Sequence, residues 1–361
     1  MTNVGGRTVN QIPPSMRKVV VGPDHRVTVQ SSPVPEPAAG EVLVRSRKVG
    51  VCGSDVHAAH GRHPFIALPY APGHEVLGEV VAMGSEVAGK ATRNGVPLAE
   101  GLRVVVEPTL PCWSCKQCRR GAENLCENLA FFGCVHWQGA MADFFTIPAD
   151  RLHAVPAELT DEQAVLVEPL ATPVHAVRIS QLRAGDTVAI LGAGTIGLLT
   201  LAAARRAGAG RIVVTDVLES KRAAALTLGA DAAVNATRPD VAAAVREALG
   251  ESADVVFDCV AIQPTMDAAI AVALKNGTVV VVGVPTADVR VPLPLIQDQQ
   301  VRIQGSATYL PVDYEVSIDM LGKGQVRPGD FITGTFLLDK TADAFEAAAS
   351  GDHIKVLIDV G

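Results

Sequence analysis

The chain has few aromatic residues and no concentrated positive charge. Phe, Trp and Tyr make up 4% of its 361 residues, and the formal net charge is −7. Lys and Arg form no cluster beyond short pairs such as Arg205 and Arg206. A nucleic-acid-binding surface normally requires a basic patch. The charge pattern therefore argues against nucleic acid as a partner and favours a small molecule.

Targeting and membrane-spanning signals are also lacking. The first fifteen residues, MTNVGGRTVNQIPPS, have neither the apolar core of a signal peptide nor the Arg and Ser richness of a transit peptide. We therefore expect a cytoplasmic protein. The one long uncharged run, residues 188–204, has a glycine spacing that indicates a nucleotide-binding turn rather than a membrane span. No contact with a membrane is expected.

The length and the hydrophobic pattern predict an α/β protein of two domains. Before about residue 160, short Val-rich strands such as EVLVRSRKVGV alternate with Gly and Pro turns. From about residue 185, apolar strands alternate with Ala-rich helices, which is typical of βαβ units and a parallel sheet. We expect a catalytic domain at 1–166, a nucleotide-binding domain at 167–304, and a return to the catalytic domain at 305–361.

Four closely spaced cysteines predict a structural zinc site. They read C-x2-C-x2-C-x7-C within a turn-rich segment, and four thiolates can converge on a tetrahedral Zn²⁺. Such a site is closed, so this zinc would order a lobe, expected at 107–128, without contacting substrate. Two disulfides are the alternative, although nothing marks the chain as secreted. The predicted ligands are Cys112, Cys115, Cys118 and Cys126.

A glycine pattern predicts a dinucleotide site. Gly192, Gly194 and Gly197 stand in G-x-G-x-x-G, after the strand TVAIL and at the start of an apolar helix. Pyrophosphate would bind at the helix N-terminus, where free N–H groups and the helix dipole favour anions. Asp216 ends the next strand, where a carboxylate accepts hydrogen bonds from the ribose of NAD and repels the 2′-phosphate of NADP. The pattern favours NAD over NADP.

Neighbouring residues are expected to complete the cofactor site. Thr195 and Ile196 lie inside the glycine pattern, and Lys221 is expected along the adenosine edge. A cation such as Lys221 or Arg222 can also accommodate the extra phosphate of NADP, so NADP is the second choice. FAD fits similar patterns, but usually at a chain's N-terminus, and a turn without any ligand is a further alternative. Lys355, in the apolar strand HIKVLI, is a candidate for the cofactor phosphates.

A second set of metal-type residues lies in the first half of the chain. Cys52 occurs in VCGSDVH, His74 in GHE and Glu168 in VEP. Thiolate, imidazole and carboxylate suit Zn²⁺, and three protein ligands leave a position for water or substrate. Taken singly, each residue type is more often a core or a satisfied polar group. Their conjunction predicts a catalytic zinc, so two zinc ions per subunit are expected.

In order and spacing these motifs resemble those of the zinc-dependent medium-chain alcohol dehydrogenases, along nearly the whole chain. The resemblance implies a discontinuous, mainly-β GroES-like catalytic domain and a Rossmann domain with a doubly wound parallel sheet. It implies that Cys52, His74 and Glu168 ligate the catalytic zinc, and that Glu75 either coordinates directly or alternates with water. A homodimer or homotetramer is expected on the same ground.

The resemblance also implies a proton relay. Ser54 matches the family position whose hydroxyl takes the proton from the alcohol, and His57 matches the position that passes it onward. An imidazole that titrates near neutrality suits such a shuttle. Ser54, His57 and Glu75 are therefore the candidate catalytic residues beside the zinc ligands.

The substrate class follows from Glu168, which stands where ethanol-oxidising relatives have a cysteine. This indicates the polyol, butanediol and threonine dehydrogenase branch, and we expect oxidation of a secondary alcohol, diol or polyol to a ketone. Sorbitol dehydrogenases commonly have an Arg-Tyr pair where this chain has Thr308 and Tyr309, which argues against sorbitol itself. An L-threonine 3-dehydrogenase, a primary-alcohol dehydrogenase and a non-catalytic zinc- and NAD-binding protein are the alternatives. Candidate pocket residues are Phe131, His136, Trp137 and Tyr309.

Overall fold

A computed structural model of the chain describes residues 12–134 and 138–361. Its strands belong to two large and two small sheets. The strands are β1 (Ser15–Val21), β2 (Val27–Pro33), β3 (Glu41–Val51), β4 (Glu75–Met83), β5 (Arg103–Val106), β6 (Thr109–Leu110), β7 (Ala130–Phe131), β8 (Phe144–Pro148), β9 (Leu152–Ala154), β10 (Val188–Leu191), β11 (Ile212–Asp216), β12 (Ala232–Asn235), β13 (Ala253–Asp258), β14 (Ala273–Val281), β15 (Arg302–Gly305), β16 (Ile332–Leu337) and β17 (Lys355–Asp359).

The helices lie mainly in the second half of the chain. They are α1 (Gly53–Ala59), α2 (Lys116–Arg119), α3 (Asp161–Ala164), α4 (Val167–Ile179), α5 (Thr195–Arg206), α6 (Glu219–Thr227), α7 (Val241–Leu249), α8 (Gln263–Val272), α9 (Leu293–Gln299), α10 (Pro311–Gly322), α11 (Pro328–Phe331) and α12 (Thr341–Ala349). Within residues 12–134 and 138–361, no helix combines the length and the apolar character that crossing a membrane requires.

The β-rich sheet is built around β3. This strand pairs antiparallel with β4, β8 and β17. The order along the sheet is β16-β17-β3-β4-β5-β9, and β8 joins it beside β3. Val356 in the last strand lies opposite Val51, so the end of the chain joins the sheet formed by its first half. The domain limits 1–166, 167–304 and 305–361 themselves stay a prediction.

The second large sheet is parallel, as the sequence predicted. Its strand order is β12-β11-β10-β13-β14-β15, which is the 3-2-1-4-5-6 order of the doubly wound dinucleotide-binding fold. Strands such as VAIL of β10 are apolar throughout because both faces of the sheet are covered. In such a sheet, ligands bind at the carboxyl ends of the strands, where the strand order reverses. That point lies beside β10.

One hydrophobic core joins the two large sheets. It contains Leu77 of β4 and Val105 of β5 together with Leu170 of α4 and Ile190 of β10. The helix α4 also packs against α5 and α10. Because Glu168 stands in the first turn of α4, this packing determines where its carboxyl group lies.

Candidate active site

The four cysteines of the lobe converge on one point. One ligand atom from each lies within 4.8 Å of the others. The Sγ atom of Cys115 is 3.5 Å from that of Cys118 and 4.0 Å from that of Cys126. Sulfurs bound tetrahedrally to zinc at about 2.3 Å are roughly 3.8 Å apart. The cluster therefore fits one zinc ion, and all seven cysteines of the chain are free thiols rather than disulfides.

The thiols of this cluster differ in their acidity. A hydrogen bond from the Ser114 hydroxyl lowers the pKa of Cys112 to about 5. Burial raises the pKa of Cys118 to about 12. Neighbouring thiols that share protons in this way do not all ionise at neutral pH. Such a set of donors is suited to bind a metal cation, which displaces the remaining thiol protons.

Cys52, His74 and Glu75 form a second cluster. One ligand atom from each lies within 4.8 Å of the other two. Cys52 immediately precedes α1, and His74 immediately precedes β4, whose first residue is Glu75. His74 and Glu75 are almost completely buried, whereas Cys52 is partly exposed. The thiolate, imidazole and carboxylate fit zinc and leave a coordination position for another ligand.

Glu168 makes a different contact from the one expected of a third zinc ligand. The sequence favoured Glu168 over Glu75 for that position, but Glu75 is the carboxylate that joins the cluster. Glu168 Oε1 accepts a hydrogen bond from the Tyr309 hydroxyl at 2.5 Å. Burial, opposed by the charge of His74, raises the pKa of Glu168 to about 7. Glu168 thus lies near the cluster but is held by Tyr309.

Lys355 contacts Glu75 rather than the position proposed for the cofactor phosphates. Its Nζ atom lies 2.8 and 2.7 Å from the two carboxylate oxygens and 3.1 Å from the Val51 carbonyl oxygen. Although burial opposes the charged form, the Glu75 carboxylate raises the pKa of Lys355. A side chain at Gly50 would collide with Glu75, because a Cβ there would lie 1.9 Å from Oε2. In the sequence, this ion pair was indicated only by the position of Lys355 in an otherwise apolar strand, because a buried lysine normally has a charged partner.

Further buried groups surround the second cluster. The Asp55 carboxylate accepts hydrogen bonds from the Cys52 N–H at 3.1 Å and from the Tyr70 hydroxyl at 3.3 Å. Burial raises the pKa of Asp55. Cys134, which the sequence did not single out, has its Sγ atom 3.5 Å from Nδ1 of His74. These contacts orient the two residues that supply the thiolate and the imidazole.

The predicted relay residues share one helix. Ser54 and His57 are three positions apart in α1, so they lie on the same face of the helix. The Ser54 hydroxyl is buried and has no hydrogen-bond partner among the described residues. His57 is exposed, and partial burial together with the charges of Arg62 and His60 lowers its pKa. A buried hydroxyl without a partner is available to a ligand.

The glycine turn has the geometry that a pyrophosphate site requires. Gly192 follows β10 with φ of 97°, a conformation that favours glycine. A Cβ at Gly194, the N-cap of α5, would meet nothing within 4 Å, so the backbone is open to a ligand. A Cβ at Gly197 would lie 1.8 Å from the Gly192 carbonyl oxygen, which explains the third glycine.

The other predicted cofactor residues surround this turn. Asp216 ends β11 and accepts a hydrogen bond from the Ala193 N–H at 2.8 Å. Thr195 and the half-buried Ile196 form the first turn of α5, and the Thr195 hydroxyl donates to the Ile354 carbonyl. Lys221, by contrast, is buried and donates to the His353 carbonyl at 2.5 Å, and burial lowers its pKa. Its ammonium group is therefore engaged within the protein.

Open space lies beside Thr215, the residue that precedes Asp216 in β11. A cavity of about 410 Å³ opens at the carboxyl ends of β10 and β11, and Leu191, Thr215 and Arg238 contribute to its wall. This is where a dinucleotide lies in a doubly wound sheet.

Two of the four candidate pocket residues lie beside the second cluster. The ring of Phe131 meets that of His74 edge to face, with centroids 5.6 Å apart. Tyr309 is buried, and its hydroxyl donates a hydrogen bond to Glu168. His136 and Trp137 lie outside the described residues.

Comparison with known proteins identifies the family. Residues 38–157 match the alcohol dehydrogenase GroES-like domain, and residues 195–323 match the zinc-binding dehydrogenase family. The chain is 34% identical to a sorbitol dehydrogenase of Bombyx mori over 92% of this chain and 95% of the relative. It is 31% identical to a sorbitol dehydrogenase of Bacillus subtilis over 96% of this chain and 98% of the relative. The chain is a zinc-dependent alcohol dehydrogenase of the medium-chain family.

A solved structure of this dehydrogenase family has the same fold. It is a zinc-binding dehydrogenase of Sinorhizobium meliloti bound to NADP, with a TM-score of 0.87 and 32% sequence identity. The similarity covers 96% of this chain and 99% of the other. The family and the fold predicted from the sequence are therefore confirmed.

Two helices of the dehydrogenase hold Glu168 and Tyr309 together. Asp313, fully buried in α10, accepts two hydrogen bonds from Arg178 of α4, at 2.7 and 2.9 Å. Its carboxylate also lies 2.8 Å from Nδ1 of His175 in α4. This ion-pair cluster joins α4, which begins beside Glu168, to α10, which begins just after Tyr309.

Proposed function

We propose that this dehydrogenase oxidises a secondary alcohol, a diol or a polyol to a ketone by hydride transfer to NAD, in a reversible reaction. The cluster of Cys52, His74 and Glu75 carries the proposal, because its three donors leave room for a substrate oxygen on zinc. We further propose one catalytic and one structural zinc ion per chain.

The chain's own residues would prepare the alcohol for reaction. Cys52 and His74 would hold the catalytic zinc, with Glu75 or Glu168 as the third protein ligand. Zinc bound there supplies a Lewis acid, which lowers the pKa of an alcohol oxygen that binds to it. Lys355 would hold the Glu75 carboxylate by its ion pair.

The proton would leave through the hydroxyl of Ser54. This buried group lacks a partner among the residues that the structure describes, and it lies two positions from Cys52. His57, on the same face of α1, would receive the proton and release it to water, since its ring is exposed. A lowered pKa favours release of that proton at neutral pH.

NAD is proposed as the cofactor in preference to NADP. Its pyrophosphate would bind at Gly194 and the N-terminus of α5, and its ribose hydroxyls would donate to the Asp216 carboxylate. The relative of known structure that binds NADP makes NADP the alternative. Lys221 would contact the cofactor only through the N–H donors that its hydrogen bond to the His353 carbonyl leaves free.

The proposed substrate class rests on two observations. Two relatives matched over nearly their whole length are sorbitol dehydrogenases, which supports a polyol substrate. Thr308, where sorbitol dehydrogenases commonly have Arg, supports a polyol or diol other than sorbitol. A homodimer or homotetramer is also proposed, because the edge strand β15 of the parallel sheet is exposed along its whole length.

The test is reduction of NAD and, in parallel, of NADP by the zinc-loaded protein. Butanediol, sorbitol, inositols, threonine and simple primary and secondary alcohols would form the substrate panel. We expect NAD-linked oxidation of at least one diol or polyol. His57→Asn should slow it and change its pH dependence, whereas His25→Asn, a change at another exposed histidine, should not. Turnover confined to primary alcohols would contradict the proposed substrate class, and turnover confined to threonine would favour the alternative of an L-threonine 3-dehydrogenase.

A further inference from the structure

The side chain of Asn124 connects the four-cysteine lobe to the active-site region. Asn124 lies between the third and fourth zinc-type cysteines and is 5% exposed. Its Nδ2 atom donates a hydrogen bond of 2.9 Å to the carbonyl oxygen of Ala307, 183 positions away. Ala307 stands two residues before Tyr309, whose hydroxyl donates to Glu168. The lobe is thus linked to the backbone beside the second cluster.

The backbone around Ala307 has a strained conformation that contacts with surrounding residues must maintain. Thr308 has φ of 47°, in the left-handed region that a β-branched residue rarely adopts. Such a conformation persists only where the surrounding contacts determine it. On either side, the Ser306 N–H donates to the Val281 carbonyl at 2.9 Å, and the Leu310 N–H donates to Asp313 at 2.8 Å. Between these two points, the hydrogen bond from Asn124 to Ala307 is the contact that fixes the peptide preceding Thr308.

The same segment carries groups that a ligand can satisfy. The hydroxyl oxygens of Ser306 and Thr308 are buried, and neither has a hydrogen-bond partner within residues 12–134 and 138–361. Buried hydroxyls in folded proteins normally have a partner. Together with Tyr309, which is hydrogen-bonded to Glu168, they make residues 306–309 a candidate wall of the substrate and cofactor site.

The lobe side of the contact is held firmly. Glu123, next to Asn124, forms ion pairs with Arg93 and with Arg151, the latter at 3.7 Å. Arg151 is 1% exposed, and its guanidinium lies 4.9 Å from the centre of the Trp113 ring. Buried charge networks with several partners restrict the motion of the groups that they join. Asn124 therefore projects from a segment that ion pairs hold in place.

We propose that Asn124 is a positioning residue of the dehydrogenase, which fixes the Ala307 carbonyl and thereby holds Thr308 and Tyr309 in place for the reaction. The four-cysteine lobe would then act on catalysis as well as on stability. This inference rests on the proposed function, since it assumes that residues 306–309 line the site of alcohol oxidation.

The test compares Asn124→Ala with the wild-type enzyme and with Gln117→Ala. Gln117 is a half-buried amide in the same lobe, and its side chain makes no hydrogen bond to a described residue, so its removal is a matched control. We expect Asn124→Ala to retain both zinc ions and to lower kcat/KM by about tenfold, mainly through kcat, because misplaced catalytic groups slow the chemical step. Unchanged kcat/KM in Asn124→Ala would overturn the proposal.

A double-mutant cycle distinguishes positioning from general damage. If Asn124 acts by positioning residues 306–309, the double variant Asn124→Ala/Tyr309→Phe should lose less kcat/KM than the product of the two single losses. Independent, multiplicative losses would contradict the inference. Asn124→Ser, whose hydroxyl is too short to reach Ala307, takes the place of Asn124→Ala if the latter does not fold.

A measurement without turnover separates this inference from the proposed function. Hydrogen exchange in a peptide that covers residues 306–311 should become at least about tenfold faster in Asn124→Ala, while Gln117→Ala leaves it unchanged. Unchanged hydrogen exchange in Asn124→Ala would refute the positioning role of Asn124, whatever effect the substitution has on turnover. Absence of turnover by the wild-type enzyme across the panel, with faster exchange in the variant, would instead refute the proposed function.

Discussion

Glu168→Gln should remove a pH-dependent loss of stability from the zinc-free protein. Burial raises the pKa of Glu168 from 4.5 to about 7, so the folded chain holds a proton that the unfolded chain releases at lower pH. The stability that this group contributes is complete below pH 4.5 and is lost as the pH rises through about 7. Glutamine keeps the shape, remains neutral and can still accept the hydrogen bond from Tyr309.

The size of the effect follows from the two pKa values. Their difference corresponds to about 3 kcal/mol of unfolding free energy, and most of it should appear between roughly pH 5 and 8.5. Urea unfolding of chelator-treated wild type and Glu168→Gln at these two pH values measures it. The wild type should lose about 2 to 3 kcal/mol relative to the variant as the pH rises.

An exposed carboxylate provides the control. Glu158→Gln makes the same chemical change at an exposed position, and it should leave the pH dependence of the wild type almost unaltered. If wild type and Glu168→Gln instead lost the same amount of stability between the two pH values, the inference that Glu168 is protonated in the folded protein would be wrong.

Three further perturbations test the remaining contacts. In the zinc-free protein, Lys355→Met leaves Glu75 buried without a cationic partner and should lower the free energy of unfolding in urea by about 3 to 5 kcal/mol. The double variant Lys355→Met/Glu75→Gln should recover most of this loss, and equal losses in both variants would contradict the ion pair. Gly197→Ala should lower both thermal stability and NADH affinity, whereas Gly194→Ala should lower affinity alone, by at least about tenfold in a fluorescence titration. Unimpaired NADH binding by Gly194→Ala would mean that the pyrophosphate lies elsewhere. Asp216→Ser should reduce the preference of kcat/KM for NAD over NADP by about tenfold or more, and an unchanged ratio would refute the role of this carboxylate.

Sites whose residues are close in sequence were predictable. The four cysteines occur within fifteen positions, and the glycine turn within six, so local chain geometry brings their atoms together. The strand and helix around Gly192 follow from hydrophobic periodicity and from the absence of a side chain where the helix approaches the turn. The parallel sheet follows from the alternation of apolar strands with Ala-rich helices.

Contacts between distant parts of the chain were not predictable in the same way. Lys355 reaches Glu75, 280 positions away, only because β17 pairs with β3 next to β4. Glu168 meets Tyr309, 141 positions away, because α4 packs against α10. A pattern of residue types reveals that Glu75 and Glu168 are both candidate ligands. It contains no information on which carboxylate the neighbouring hydroxyl and ammonium groups engage.

The most direct test of the central claim is to measure zinc content and NAD reduction on the same preparations of wild type, Cys52→Ser and Cys112→Ser. The wild type should bind two zinc ions and oxidise a secondary alcohol. Cys52→Ser should lose one zinc ion and at least about a hundredfold in kcat/KM while still binding NADH, because the site that orients the alcohol is gone. Cys112→Ser should lose the other zinc ion and mainly thermal stability. Full activity in Cys52→Ser would contradict the assignment of the catalytic centre to Cys52, His74 and Glu75.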